Sequence, residues 1–173
     1  GIIDATIHNE DMQELTLKRS IAAVPFGGRY RLIDFVLSNM VNSGIQNVAI
    51  FPRYQYRSLM DHLGSGKQWD LDRKRDGLFF FPSSENVNTG SFQHFKENED
   101  FFVRSNQTYV VIANSFTVCN MNFKQILDRH IQNRCDITHV VKEEETLDMY
   151  VLEKDLLVKL FLIHEQTGYR SIM

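Results

Sequence analysis

The stretch Val24-P-F-G-G-R-Y-R-L-I-D-F35 gathers the residue types that handle phosphate. Gly27-Gly28 gives the backbone freedom just before a helical turn, and Arg29 and Arg31 flank it, with Lys18 and Arg19 upstream. Arginine donates paired hydrogen bonds to phosphate oxygens, so a phosphorylated ligand fits this cluster; ordinary surface basicity around a turn fits the spacing equally. The opening loop, Thr6-I-H-N-E-D11, contrasts with it. It has no glycine to bring amides close to a phosphate, and Glu10 and Asp11 would repel one. That acidic pair is either a metal site or, more simply, a solvated helix start. The loop after Ile112, Ala113-N-S-F-T117, offers no carboxylate for a divalent ion. Histidines and serines are scattered without a G-x-S-x-G turn, which leaves nucleophilic catalysis without a signal. Cys119 and Cys135 lack metal-ligand spacing and read as buried apolar residues of a reducing compartment.

Elements that could position these loops follow from periodicity. Apolar spacing alternates between two and about 3.6, the pattern of strands separated by helices. Strands are expected around Ile2–Ile7, Asn47–Phe51, Leu78–Pro82, Thr108–Ala113 and Asp136–Val141, with a further apolar run at Met149–Leu152. Helices are expected over Leu32–Asn42, stopped by Ser43-Gly44, then Tyr56–Leu63, Ser91–Arg104, Phe123–Asn133 and Glu153–His164. In the helix after Phe123, Ile126, Leu127, His130 and Ile131 are placed inward. The predicted core includes Val36, Leu37, Met40, Val48, Ile50, Val110, Ile112, Ile126 and Ile137. An α/β fold with a mainly parallel central sheet follows, and in such sheets ligands bind at the carboxyl ends of the strands.

A chain of 173 residues that is 43% hydrophobic has room for one domain with a sizeable core. Its net charge of −3 and interspersed charges exclude a strongly basic nucleic-acid binder. No run approaches the roughly 18 apolar residues of a membrane span, and no signal peptide is visible, so a cytoplasmic protein is expected; the start at Gly1 leaves a removed leader open. The passage from Val141 through Lys142-E-E-E145 to the next apolar run is abrupt, which suggests a solvated turn or missing residues near 142–146, and possibly near 82–90.

The run P-F-G-G-R-Y-R-L-I-D-F-V-L-S-N-M-V-N-S-G-I resembles the signature of bacterial glucose-1-phosphate adenylyltransferases. Y-Q-Y-R-S-L-M-D-H-L-G-S-G-K-Q-W-D-L, T-Y-V-V-I and V-C-N-M-N-F-K-Q-I-L-D-R-H-I extend the likeness over most of the chain, with the D-type glycogen-biosynthesis subunit as the nearest pattern. The resemblance implies a Rossmann-like nucleotidyltransferase domain over 1–173, without the family's C-terminal β-helix domain. It also implies chemistry that makes ADP-glucose and pyrophosphate from ATP and glucose 1-phosphate. Placed against active members, the phosphate loop falls on Thr6–Asp11 with Asp11 at its arginine. The family lysine falls on Ile21, the G-T-A-D-A motif on Gly90-S-F-Q-H94 with Gln93 at its aspartate, and the metal aspartate on Phe116. No catalytic or metal residue is therefore assigned to this chain, and Mg2+ belongs to a catalytic partner, or to this chain if it is active. Lys18, Arg19 and Arg31 coincide with the family's phosphorylated-activator region, while Gly27, Gly28, Gln55 and Gly90 are the nucleotide-side candidates. The resemblance implies a non-catalytic or weakly catalytic regulatory subunit, oligomeric with a catalytic adenylyltransferase subunit and responsive to a sugar-phosphate effector. An active sugar-phosphate nucleotidyltransferase is the alternative, and a sugar-phosphate or nucleotide sensor a third reading.

Overall fold

Three short apolar runs set the centre of the molecule. In the computed structural model, which describes residues 1–7, 12–73, 76–83 and 90–167, β1 (Ile2–Ala5) pairs in parallel with β4 (Asn47–Pro52) on one side and with β6 (Tyr109–Asn114) on the other. Between β1 and β4 lie a four-residue helix α1 (Gln13–Thr16), the two-stranded ribbon β2 (Pro25–Phe26) and β3 (Tyr30–Arg31), and helix α2 (Leu32–Asn42). After β4 come α3 (Arg57–Leu63), β5 (Gly77–Phe80), α4 (Ser91–Glu97) and α5 (Glu99–Arg104). Beyond β6, α6 (Phe123–Asn133) leads into the antiparallel hairpin β7 (Ile137–Lys142) and β8 (Glu145–Glu153), and α7 (Lys154–Thr167) follows. The sheet order is β5-β4-β1-β6-β8-β7, with β8 antiparallel to both of its neighbours.

Because side chains alternate across a strand, each central strand feeds two cores. Ile3, Val48, Ile50, Val111 and Val151 join Ile33, Val36, Leu37 and Met40 of α2 and Leu59 of α3 in a mostly aliphatic layer. Ile2, Phe51, Val110, Ile112 and Leu152 point the other way, into a phenylalanine-rich layer with Phe92, Phe95, Phe102 and Phe161. Helix α2 forms where the sequence predicts it. Apolar side chains recur at three- and four-residue steps, the third-position Asp34 accepts from the Arg31 N–H at 2.9 Å, and Gly44 at φ +84° closes the last turn.

Several expectations are corrected. Ile137 is 45% exposed, because β7 is the outer strand of the sheet, and Ile131 is 46% exposed, on the solvent side of α6; Ile126 is only partly buried. The helix expected over Ser91–Arg104 is broken at Asn98, whose backbone leaves the helical region and whose side-chain amide donates to the His94 carbonyl. Ile7 lies beyond the first strand, and the cysteines are not buried as expected, Cys119 being half-buried and Cys135, just after α6, exposed. At the glutamate run, by contrast, the solvated turn that was expected is present, a two-residue hairpin turn with Glu143 (φ +50°) and Glu144 (φ +74°) both left-handed and Lys142 paired with Glu145.

Candidate functional site

The carboxyl ends of β1, β4, β5 and β6 share one rim of the sheet, and the β7–β8 turn lies on the same side. The loops selected from the sequence therefore converge. Asp11, with its neighbour Glu10, lies outside the described residues.

Ile21 sits in a single 3-10 turn, Ile21–Ala23, and is 4% exposed. It packs in an apolar cluster with Val24 and Leu32, against which Met12 and Phe116 close. The two positions on which the resemblance places a lysine and a metal carboxylate thus belong to one hydrophobic patch here. Phe116 is set by Asn114 at the end of β6. The Asn114 carbonyl oxygen accepts from the N–H groups of Phe116 (3.0 Å) and Thr117 (2.8 Å), while its amide donates to the Thr117 hydroxyl (2.8 Å) and the Leu147 carbonyl (2.7 Å). The side chain is saturated by this turn. Asp4, which the register sets beside Asn114, turns its carboxylate onto the N–H and hydroxyl of Thr6, at 2.9 and 2.7 Å. Among the described residues no three His, Cys, Asp or Glu side chains group closely enough to hold a metal ion.

The second strip of the rim begins at Gly90, which precedes α4 and accepts from the Gln93 N–H. The Ser91 hydroxyl meets that of Thr6 at 2.7 Å, tying α4 to the end of β1. Gln93 donates along the helix to Glu97. His94 points inward, is 3% exposed, and meets the Phe51 ring edge-on with centroids 5.2 Å apart. Burial pushes its pKa below the usual imidazole value, with the Glu97 charge opposing that shift in part.

Gly27 (φ +60°) and Gly28 (φ +95°) form the turn between β2 and β3, and the left-handed backbone there requires glycine. Gln55, also left-handed, accepts from the Ser20 N–H through its carbonyl. Lys18 is exposed and Arg19 partly so, just after α1. Arg31 is different, since one guanidinium nitrogen donates to both the carbonyl and the hydroxyl of Ser58, at 2.6 and 2.8 Å. It fastens the start of α2 to α3. The sequence reading assigned no role to Arg53, a buried cation at the end of β4 whose guanidinium lies 5.0 Å from the Tyr54 ring. It also missed the pairing of Asp34 with His62 at 2.7 Å, which joins residues far apart in the chain and leaves no local spacing signal. The turn at Asn114 was legible in principle, as Asn followed by Ser-Phe-Thr favours such a loop.

A nucleotidyl transferase family model matches residues 11–150. The chain is 58% identical over 178 aligned residues to the glycogen biosynthesis protein GlgD of Geobacillus stearothermophilus, covering all of this chain and 52% of that protein. It is 53% identical to the protein of the same name from Bacillus subtilis, over 99% of this chain and 51% of the relative. The glucose-1-phosphate adenylyltransferase of Clostridium kluyveri is 39% identical over 76% of this chain and 37% of its own length. The chain thus spans about half the length of the GlgD relatives it matches. A crystallised Bacillus anthracis protein assigned as a glucose-1-phosphate thymidylyltransferase superposes with a TM-score of 0.72 at 14% identity, over 96% of this chain and 74% of the other, a likeness of fold.

Proposed function

Because the chain belongs to the nucleotidyl transferase family, we propose that it is a regulatory member of it. In this reading it serves glycogen biosynthesis beside a catalytic glucose-1-phosphate adenylyltransferase subunit and does little or no chemistry itself. The observation that carries the proposal is the apolar cluster of Ile21, Val24 and Leu32 closed by Met12 and Phe116. Nucleotidyl transfer is catalysed by positioned charge, with a divalent ion neutralising the phosphates and cations stabilising the charge that develops. A patch of isoleucine and phenylalanine at those two positions supplies neither. The names of the two GlgD relatives support the pathway, and the more distant adenylyltransferases support the partner's chemistry. Lys18 and Arg19 are the groups best placed to meet a sugar-phosphate effector, with Arg31 behind them as a part of the scaffold. The protein, incubated with ATP, magnesium and glucose 1-phosphate, should form ADP-glucose at no more than background rate, and it should co-purify with a catalytic adenylyltransferase subunit. Robust turnover by the protein alone would overturn the proposal.

A further inference from the structure

A cleft of about 510 Å³ opens between the outer side of α2 and the 3-10 turn Lys67–Trp69, lined by Tyr30, Asp34, Phe35, Ser38, Gln68 and Trp69. It shares no residue with the Ile21–Phe116 cluster, and its size falls in the roughly 300–1,000 Å³ range of small-molecule sites. Three of its six lining residues are aromatic and the other three are a carboxylate, a hydroxyl and a primary amide. We propose that this cleft binds a neutral pyranose ring, as a free hexose or as the end of a glucan chain.

The walls are braced. Phe35 is held edge-on by Phe26 at 5.4 Å and tilted against Tyr30 at 6.2 Å, while Trp69 meets His62 at 6.2 Å. Asp34 is fixed by two donors, the Arg31 N–H at 2.9 Å on one oxygen and His62 Nε2 at 2.7 Å on the other. Each carboxylate oxygen has a further lone pair, so the group can still accept from a ligand hydroxyl. The side chains of Ser38 and Gln68 make no hydrogen bond among the described residues, and Gln68 is exposed. A pyranose presents C–H faces to aromatic rings and hydroxyls around its edge that both donate and accept, and this lining answers both requirements. A flat base would need a slot between parallel rings, whereas Tyr30 and Phe35 are inclined at 59°. No Lys or Arg lines the cleft, which disfavours a phosphorylated ligand.

Trp69 is the sole tryptophan in the chain, so its emission reports on this cleft alone. Titration with glucose and with maltoheptaose should give a saturable emission change that is unaffected by salt, as expected for an uncharged ligand. A response to both sugars identifies the single ring as the ligand, and a response to maltoheptaose alone identifies the glucan end. Gln68→Ala, at an exposed position, should weaken binding about 5- to 10-fold, the equivalent of one lost hydrogen bond. Ser38→Phe, which fills the cleft, should abolish the response while the circular dichroism spectrum stays native. The proposal fails if neither neutral sugar gives a saturable change, if Gln68→Ala binds as the parent does, or if glucose 1-phosphate binds tighter than glucose in a salt-sensitive way.

Discussion

Two neighbouring parts of the molecule have treated charge in opposite ways. Around Ile21 and Phe116, where the family resemblance places a lysine and a metal carboxylate, the side chains are apolar and belong to one cluster. A few residues along, Asp34 is 7% exposed yet keeps its carboxylate, because His62 and the Arg31 N–H satisfy it. A charge whose use is to meet a ligand can be exchanged for packing without harm to the fold. A charge that completes a buried hydrogen-bond set cannot, since its removal strands its partners. The difference separates positions where packing has no charge to satisfy from one where the fold depends on a charge.

Substitutions can break that contrast or sharpen it, and the largest effect should come from Asp34→Ala. Loss of the carboxylate leaves the Arg31 N–H and the His62 ring without an acceptor and should cost about 3 kcal/mol in chemical denaturation. A cost near zero would show that the Asp34 corner is as dispensable as the rim. Ile21→Ala removes a buried side chain from the small cluster and should cost about 2 kcal/mol. Phe116→Asp puts a carboxylate against that cluster and should cost about 1–2 kcal/mol. It should also leave ADP-glucose synthesis at background, and a large gain of activity in this single variant would erase the distinction. Arg31→Ala should cost about 1 kcal/mol through the lost contacts to Ser58. Lys18→Ala, free of such contacts, should leave stability unchanged while altering the response of a mixed-subunit enzyme to sugar phosphate; superimposable activation curves would reduce the basic strip to surface charge. The smallest effect concerns acid. Because His94 is buried and its pKa depressed, the folded form binds this proton less readily than the unfolded chain. Its stabilising contribution is therefore full above the ordinary value of 6.5 and falls as the pH drops below it. His94→Phe should flatten the fall in stability below about pH 6.5, measured by urea midpoints.

The sheet and its flanking helices were legible because long apolar runs and three- and four-residue steps coincide with burial. Val36, Leu37, Met40, Val48, Ile50, Val110 and Ile112 all lie in the core. Ile137 and Ile131 were misplaced for one reason, that composition cannot reveal which strand is outermost or which helix face lacks a neighbour. At the rim, the motif positions told where Ile21 and Phe116 would fall, but not that they would belong to one apolar cluster. Arg31 shows the converse limit. Its type and position suggested a ligand contact, and only the approach of α3 reveals the Ser58 hydrogen bonds.

The outer side of β7 has a practical consequence. No described strand pairs with that side, Ile137 and Val141 are 45% and 58% exposed, and Lys142 is the one charged side chain near neutral pH along the strand. An open ladder with so little charge is a template for another copy of itself. Encounters between two such edges rise with the square of concentration, so this strand should favour self-association as the solution is concentrated. A lysine in place of Val141 is the change that would oppose it without touching the interior.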